Sequence, residues 1–160
     1  MIENDNKTQG EEQILRAKIS NLESLLEVYT KQKEIKKRKN KMNIHEKINY
    51  VELPAKNLQS TKTFFTKVFD WSFTDYSTEY IAFSKEGLDG GFYKSDLSSS
   101  TTKGSALIVF YSNDLKNTQS KIIDANGSII KPIFQFPGGH RFHFSDPSGN
   151  EFAVWSDKYI

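Results

Sequence analysis

The sequence KPIFQFPGGHRFHFSDPSGNEFAVWSD, from Lys131 to Asp157, decides the fold of this chain. In it, Phe142 and Phe144 alternate with Arg141 and His143, which is the period-two spacing of a β-strand. The segment Asp146–Asn150 (DPSGN) has Pro near its start, which fixes φ, and Gly and Asn near its end, which tolerate positive φ. The stretch therefore predicts two strands joined by a tight hairpin loop.

An earlier part of the chain has the same organisation. Moving back 57 positions from residues 113–118 (NDLKNT) gives residues 56–61 (KNLQST), so a similar helix start occurs twice. The side-chain oxygens of Asn57 and Asp114 can accept hydrogen bonds from the free N–H groups of a first helical turn. The chain therefore contains two copies of one unit.

Each copy reads as a strand, a helix and three further strands. The first strands are the apolar runs Ile48–Leu53 and Ala106–Tyr111, and apolar residues at helical spacing follow each capping residue. Asn126 and Gly127 are expected to close the second helix, with Gly127 at positive φ. The later strands are expected at Trp71–Thr74, Tyr80–Phe83 and Gly91–Lys94 in unit one, and at Ser128–Phe136, Arg141–Ser145 and Glu151–Trp155 in unit two.

The duplicated βαβββ arrangement, the Asn/Asp-Leu helix start and the ending DPSGNEFAVWS resemble the vicinal oxygen chelate superfamily, which includes glyoxalase I, bleomycin-resistance proteins and extradiol dioxygenases. The resemblance implies an α+β fold of two tandem βαβββ units, residues 48–95 and 105–157, whose mixed sheets curl around a shared concave cleft. Helices then pack on the convex faces, and ligands bind on the concave face. We assign residues 46–160 to this domain and residues 1–45 to an appended N-terminal amphipathic helix with a basic linker.

The family's metal positions hold unsuitable residues in this chain. The resemblance places ligands on the first strand of each unit and on the last strand of unit two, where the matching residues are Tyr50, Leu107 and Ala153. The last strand of unit one, Gly91–Lys94, offers no carboxylate or imidazole. Because a metal needs several N, O or S donors around one ion, no metal and no cofactor is predicted at the usual positions. A divalent metal held through other residues stays an alternative.

Strand alternation predicts what lines the cleft instead, because residues two apart share a face. Phe142 and Phe144 belong against the helices, which turns Arg141 and His143 toward the cleft. The candidate catalytic residues are Glu52 and His143. A cleft lined mainly by apolar and aromatic residues with a few polar groups suits a small organic molecule. The predicted ligand-binding residues are Tyr50, Leu107, Val109, Tyr111, Arg141, Ala153 and Trp155.

Two of these residues also have structural interpretations. His143 either contacts a ligand or moves a proton, or it is a buried strand histidine that hydrogen-bonds a neighbour. Arg141 either binds an anionic or carbonyl group or forms an ion pair with Glu52 or Glu151. We expect Glu52 and His143 to approach each other across the cleft, where one of them moves a proton.

The N-terminal segment differs from the rest of the chain in charge. Residues 1–42 carry 10 Lys or Arg and 7 Asp or Glu, and the basic excess lies in Lys31–Lys41. A basic run of this kind favours a solvated helix end over a nucleic-acid site. The segment is either an appended helix or an upstream extension of the reading frame ending at Met42.

A stripe of apolar residues precedes the basic run. It repeats with the 4-3-4-3 spacing of a coiled coil, on a helix expected from about Glu11 to Lys36. Two heptads are short for a coiled coil, which usually has about three or four. The residues of the stripe are Leu15, Ile19, Leu22, Leu26 and Tyr29.

Composition limits the class of protein. The chain has 160 residues and no Cys, so disulfide and thiolate chemistry are excluded. Its N-terminus is polar and acidic rather than signal-like, and no apolar run approaches the roughly 20 residues of a membrane span. We expect a cytoplasmic protein with neither a membrane nor a nucleic acid as its partner.

These observations favour a protein that binds a small organic molecule in the cleft without the usual metal, as a sequestering or accessory protein of the bleomycin-resistance type. The alternative is a lyase or isomerase resembling lactoylglutathione lyase, with non-standard metal ligands or with metal-free acid–base catalysis. A third class is an interaction protein that acts through its N-terminal helix. Whether the chain is an enzyme is left open, and the resemblance implies a homodimer.

Overall fold

The computed structural model describes residues 2–39 and 43–158, and the side chains of residues 12–33 and 43–158. The chain divides into two compact units, residues 1–47 and 48–160. The elements in chain order are α1 (Ile2–Lys39), β1 (Tyr50–Ala55), α2 (Leu58–Phe69), β2 (Phe73–Ser77), β3 (Tyr80–Glu86), β4 (Leu88–Lys94), a 3₁₀ turn (Thr101–Lys103), β5 (Ile108–Tyr111), α3 (Leu115–Asp124), β6 (Ser128–Phe136), β7 (Gly139–Ser145) and β8 (Glu151–Ser156).

Residues 48–160 contain the βαβββ unit twice. The strand orders are β1-β4-β3-β2 and β5-β8-β7-β6, and in the described residues neither sheet is hydrogen-bonded to the other. In each sheet the first strand pairs in parallel with the last, and the remaining pairs are antiparallel. Both sheets are therefore mixed, and the predicted α+β class with two tandem units is confirmed.

The two short helices begin at the predicted capping residues. Asn57 Oδ1 accepts a hydrogen bond from Ser60 N at 2.9 Å, and Asp114 Oδ1 accepts one from Asn117 N at 2.9 Å. Each cap satisfies one of the free N–H groups of a first turn. The repeated Asn/Asp-Leu pattern thus predicts both helix starts correctly.

The end of α3 differs from the prediction. Asn126 adopts the left-handed conformation, with φ 67°, whereas Gly127 does not. A Cβ on Gly127 would lie 2.6 Å from Ile122 and 2.8 Å from Phe64, so this glycine is required for close packing rather than for its φ. The prediction of positive φ at Gly127 is wrong because the preceding Asn tolerates that conformation.

The first strand of each unit begins later than predicted. β1 begins at Tyr50 and extends to Ala55, since its parallel pairing with β4 continues to Lys94. β5 begins at Ile108, so Leu107 immediately precedes this strand. Ile48 also lies outside its strand and is 83% exposed.

One aromatic core joins the helices with the inner faces of both sheets. Phe65 of α2 contacts Phe92 of the first sheet and Phe152 of the second, with ring centroids 5.2 and 5.4 Å apart. Phe142 and Phe144 are fully buried on the helix-facing side of β7, as alternation predicts. Their burial leaves Arg141 and His143 on the opposite, outer face.

The DPSGN loop of the second βαβββ unit is hydrogen-bonded to the first βαβββ unit. Asn150 is fully buried, and its Nδ2 donates to the Pro54 carbonyl at 2.8 Å and to Asp146 Oδ2 at 3.0 Å. Ser148 Oγ lies 3.0 Å from Thr61 Oγ1 at the start of α2. These buried polar contacts fix how the two sheets are placed within residues 48–160.

Helix α1 spans 38 residues and is longer than predicted. All its described side chains are exposed, including eight large apolar ones. The predicted basic run Lys31–Lys41 extends beyond the described side chains. Among the described residues, no helix is long and apolar enough to cross a bilayer.

Candidate functional site

The outer face of the second sheet carries most of the predicted ligand-binding residues. Cross-strand pairing places Trp155 between Tyr111 and Arg141, and Ala153 between Val109 and His143. Leu107 continues the alternation of β5 but lies one residue before this strand. Arg141 and His143, two positions apart on β7, therefore lie side by side on this face.

The nearest carboxylate partner of His143 is Glu151 and not Glu52. His143 Nδ1 lies 2.9 Å from Glu151 Oε1, and the second carboxylate oxygen, Oε2, accepts from both N and Oγ1 of Thr101 at 2.7 Å. Thr101 lies in the 3₁₀ turn, so a loop residue fixes the carboxylate and the carboxylate fixes the imidazole. The Nδ1 atom of His143 therefore has the neighbour contact expected of a structural histidine, whereas this contact does not involve Nε2.

The other ring nitrogen of His143 has no hydrogen-bond partner in the described part of the chain. His143 Nε2 is buried and has no hydrogen-bond partner among the described residues. Burial acts to raise the pKa of Glu151, but hydrogen bonds from His143 and Thr101 outweigh it, and the pKa lies below its ordinary value. Glu151 is therefore ionised at neutral pH, and it orients the imidazole with Nε2 pointing away from the carboxylate.

Arg141 forms neither of the predicted ion pairs. Within the described residues its side chain makes no hydrogen bond or salt bridge, and its Nε is buried without a partner. Its guanidinium carbon lies 5.2 Å from the Phe134 ring centroid and 5.4 Å from that of Phe136. Lys131 Nζ also lies over Phe134, at 4.0 Å. We call Lys131, Arg141 and His143 the basic cluster.

The remaining residues of this face form an open aromatic surface. The Trp155 ring contacts the Tyr111 ring edge-to-face, with centroids 5.2 Å apart, and its centroid lies 6.3 Å from that of Phe136. Tyr111 is 48% exposed and Val109 is 44% exposed. The Tyr111 hydroxyl donates to Asp157 at 2.6 Å, so its ring rather than its hydroxyl is presented to the face.

The outer face of the first sheet holds a separate polar group. Tyr80 Oη donates to Glu52 Oε1 at 3.0 Å and lies 2.7 Å from Tyr50 Oη. Burial, together with the hydrogen bonds to Tyr50 and Glu52, raises the pKa of Tyr80 above its ordinary value. No hydrogen bond or ion pair in the described residues joins Glu52 to His143 or Arg141. The expected approach of Glu52 to His143 across the cleft therefore stays a prediction.

The residues present do not fit the metal site of the fold. Tyr50 is hydrogen-bonded to Tyr80, Leu107 and Ala153 are apolar, and no group of three or more His, Cys, Asp or Glu in the described residues could hold an ion. The His143 and Glu151 pair supplies only two donors, and they are bonded to each other. That this protein binds no metal at the family position stays a prediction.

A depression of about 460 Å³ lies elsewhere, between the start of α2 and strand β2. Two of its lysines already have carboxylate partners: Lys62 with Asp75 at 2.7 Å, and Lys94 with Glu79 at 3.0 Å. The third lysine of its lining, Lys56, is exposed and has no ion-pair partner in the described residues. The unpaired nitrogens of the basic cluster are the stronger indication of a site.

Sequence reasoning missed three residues that shape the site. Glu151 was named only as a possible ion-pair partner of Arg141, although the alternation of β8 gives it a diagonal position to His143. Lys131 lies between two register shifts in β6, which hide its alignment with His143. Thr101 comes from a loop without periodicity, so no sequence pattern could have indicated it.

Comparison with known proteins agrees with this fold. Residues 47–154 match the family model of the Glyoxalase/Bleomycin resistance protein/Dioxygenase superfamily. The chain belongs to this family, and the resemblance seen in its sequence is confirmed. No curated protein matches the chain in sequence.

Several solved structures are similar. A glyoxalase/bleomycin resistance protein/dioxygenase family enzyme from Burkholderia phytofirmans has a TM-score of 0.60 and 16% identity, with 69% of this chain and 98% of that chain covered. The fosfomycin resistance protein FosX from Listeria monocytogenes has a TM-score of 0.58 and 19% identity, with 71% and 94% covered. Lactoylglutathione lyase from Agrobacterium tumefaciens has a TM-score of 0.53 and 16% identity, with 71% and 96% covered. At these identities the similarity concerns the fold alone.

Proposed function

We propose that this protein binds a small organic molecule with an anionic or carbonyl group on the outer face of the second sheet, without the usual family metal. The observation that carries the proposal is the pair of buried, unpartnered nitrogens, Arg141 Nε and His143 Nε2, two residues apart on β7. A buried polar group without a partner costs about 1–3 kcal/mol. Such groups are expected where a ligand supplies the missing hydrogen bonds.

Charge favours an anionic group on the ligand. Lys131 and Arg141 both lie over the Phe134 ring, and neither has a carboxylate partner in the described residues. The nearby Glu151 carboxylate is engaged by Thr101 and His143. Arg141 can bind a carboxylate or phosphonate through two parallel hydrogen bonds, while the aromatic surface contacts the apolar part of the molecule.

The test is a ligand screen read by tryptophan fluorescence. Trp155 lies on the proposed binding face, whereas Trp71 is buried in the core, so a Trp71→Phe variant leaves Trp155 as the single reporter. Probes are fosfomycin and a set of aromatic and aliphatic carboxylates and phosphonates, each paired with its neutral amide or ester. We expect acids to bind more tightly than their neutral counterparts. Equal affinity for both members of every pair would contradict an anion-binding site.

A second candidate is a metal-free lyase or isomerase, and the bond between His143 Nδ1 and Glu151 favours it. A carboxylate that holds Nδ1 orients the imidazole so that Nε2 can exchange a proton with a bound molecule. Any screened ligand with a hydrogen next to a carbonyl is incubated in D₂O, and exchange of that hydrogen is followed by NMR. Exchange that stops in Glu151→Gln while binding persists would support catalysis.

We also propose that the protein is a homodimer whose cleft walls come from two chains. The first sheet presents Glu52 and two tyrosines on its outer face, whereas the second presents the basic cluster, so the two faces are complementary in charge. Tyr50 and Tyr111 are 44% and 48% exposed, which leaves aromatic area available for such a contact. Light scattering at micromolar concentration tests this, and a monomer mass would count against it.

A further inference from the structure

An apolar stripe on α1 has no role in the proposed ligand site. Its members, Leu15, Ile19, Leu22, Leu26 and Tyr29, are between 47% and 65% exposed. We call them the α1 stripe. A helix draws most of its stability from packing of its apolar face, so a continuous exposed stripe indicates a missing partner.

We propose that α1 pairs with the α1 helix of a second copy of this chain, as a parallel, in-register, two-stranded coiled coil. The 4-3-4-3 spacing of the α1 stripe places Ile19 and Leu26 at one set of core positions and Leu15, Leu22 and Tyr29 at the other. The combination of Ile19 in the first set with Leu15 and Leu22 in the second favours two parallel strands, whereas Leu26 and Tyr29 do not follow this pattern. This inference rests on α1 alone and does not depend on the proposed ligand site.

Charges beside the α1 stripe select the same partner. Lys18 and Glu23 lie on opposite flanks of the stripe, five residues apart, and neither forms an ion pair in the described residues. In a parallel pair, Lys18 faces Glu23 of the partner subunit, and the contact occurs twice by symmetry. Reversing one of these charges would place like charges opposite each other.

An anionic membrane surface fits the helix less well. Helices that lie on membranes carry Lys and Arg on the polar flanks of the apolar face. Here Glu23 lies beside the α1 stripe and is exposed, so it would be repelled by anionic lipid. The flanking charges of mixed sign are instead typical of a coiled-coil surface.

The chain has no Cys, so a single introduced thiol reports the helix pairing directly. Leu15→Cys and Tyr29→Cys lie at the two ends of the α1 stripe, about 21 Å apart along the helix. Ser24→Cys is the matched control, because Ser24 lies near the middle of the same helix on the opposite side. All three sites are exposed, so these substitutions leave the core of the molecule intact.

Under mild oxidation of the full chain at micromolar concentration, we expect Leu15→Cys and Tyr29→Cys each to form disulfide-linked dimers at least tenfold faster than Ser24→Cys. Leu22→Glu should abolish that advantage. Lys18→Glu should reduce it, and Lys18→Glu combined with Glu23→Lys should restore it. Circular dichroism verifies that each variant retains its helix.

Three results would overturn the proposal. Equal cross-linking at Ser24→Cys would show that the α1 stripe is not the contact. Cross-linking of Leu15→Cys with Leu26→Cys, but of neither with itself, would show antiparallel helices. Sedimentation of the chain with phosphatidylserine vesicles, without preferential cross-linking in their absence, would identify a membrane surface as the partner.

Discussion

Replacing Glu151 should destabilise the domain more than any ordinary surface change. Glu151 has 6% of its side chain exposed, and its carboxylate makes three contacts of 2.7 to 2.9 Å, two with Thr101 and one with His143. Glu151→Ala leaves these partners without the carboxylate. The Thr101 N–H and His143 Nδ1 cannot both find new partners without rearrangement of the loop.

The loss of unfolding free energy in Glu151→Ala can be worked out from those contacts. Hydrogen bonds to a charged group contribute about 1.5–3 kcal/mol each, and removing one partner of a buried charged pair typically costs about 3–5 kcal/mol. For a domain of this size, about 4 kcal/mol corresponds to a fall in Tm of roughly 15 °C. Glu151→Gln keeps an oxygen for Thr101 and loses only the charge, so we expect about 1–2 kcal/mol.

Urea unfolding and thermal melts of the full chain, followed by circular dichroism, measure these changes. Thr101→Val is the matched control, because it removes the hydroxyl contact, keeps the backbone N–H contact and should cost about 1 kcal/mol. Since the pKa of Glu151 is lowered in the folded state, its stabilisation should be complete at neutral pH and should be lost as pH falls through that pKa. A Glu151→Ala variant that melts within about 3 °C of the parent would refute the network.

Three further predictions concern other parts of the molecule. Burial raises the pKa of Asp146 from 3.8 to about 6, against the opposing hydrogen bonds from Asn150, so its stabilising contribution should be complete below pH 4 and should decline by up to about 3 kcal/mol as pH rises to 6. In urea titrations, the free energy of unfolding of the parent should therefore rise relative to that of Asp146→Asn as pH is lowered. A difference in unfolding free energy that does not change with pH would contradict this. Removal of residues 1–42 should leave a cooperative thermal melt, because both βαβββ units lie in residues 48–160, and a broad melt would show that α1 supports the domain. Elemental analysis of untagged protein should find far less than one Zn, Ni, Mn or Fe per chain, and about one tightly held ion that Tyr50→Ala removes would contradict the metal-free site.

The sequence predicts the fold well because short-range patterns, such as helix caps and strand alternation, determine its elements. Asn57 and Asp114 cap their helices through contacts three residues away, and the alternation of Phe142 and Phe144 with Arg141 and His143 determines which face of β7 is buried. Both signals act over a few residues, so they can be read without the tertiary structure.

The candidate site is less predictable, because its contacts depend on register and loops. Alternation puts both Glu52 and Glu151 on outer faces, but only the three-dimensional arrangement shows that Glu151 reaches His143 while Glu52 is bonded to Tyr80. The register shifts of β6 decide that Lys131 aligns with His143, and they leave no simple trace in the sequence. Partner choice between two similar carboxylates is therefore a tertiary property.

Ligand affinity of Arg141 and His143 variants tests the central claim most directly. With the tightest acid from the screen, Arg141→Ala and His143→Ala should each weaken binding by about 10- to 100-fold, which corresponds to a lost charged hydrogen bond of roughly 1.5–3 kcal/mol. Because neither Arg141 Nε nor His143 Nε2 has a partner among the described residues, Arg141→Ala should change Tm little, and Lys116→Ala, an exposed change on α3, should match the parent in both measurements. If both variants bind the acid as tightly as the parent, the basic cluster is not the functional site.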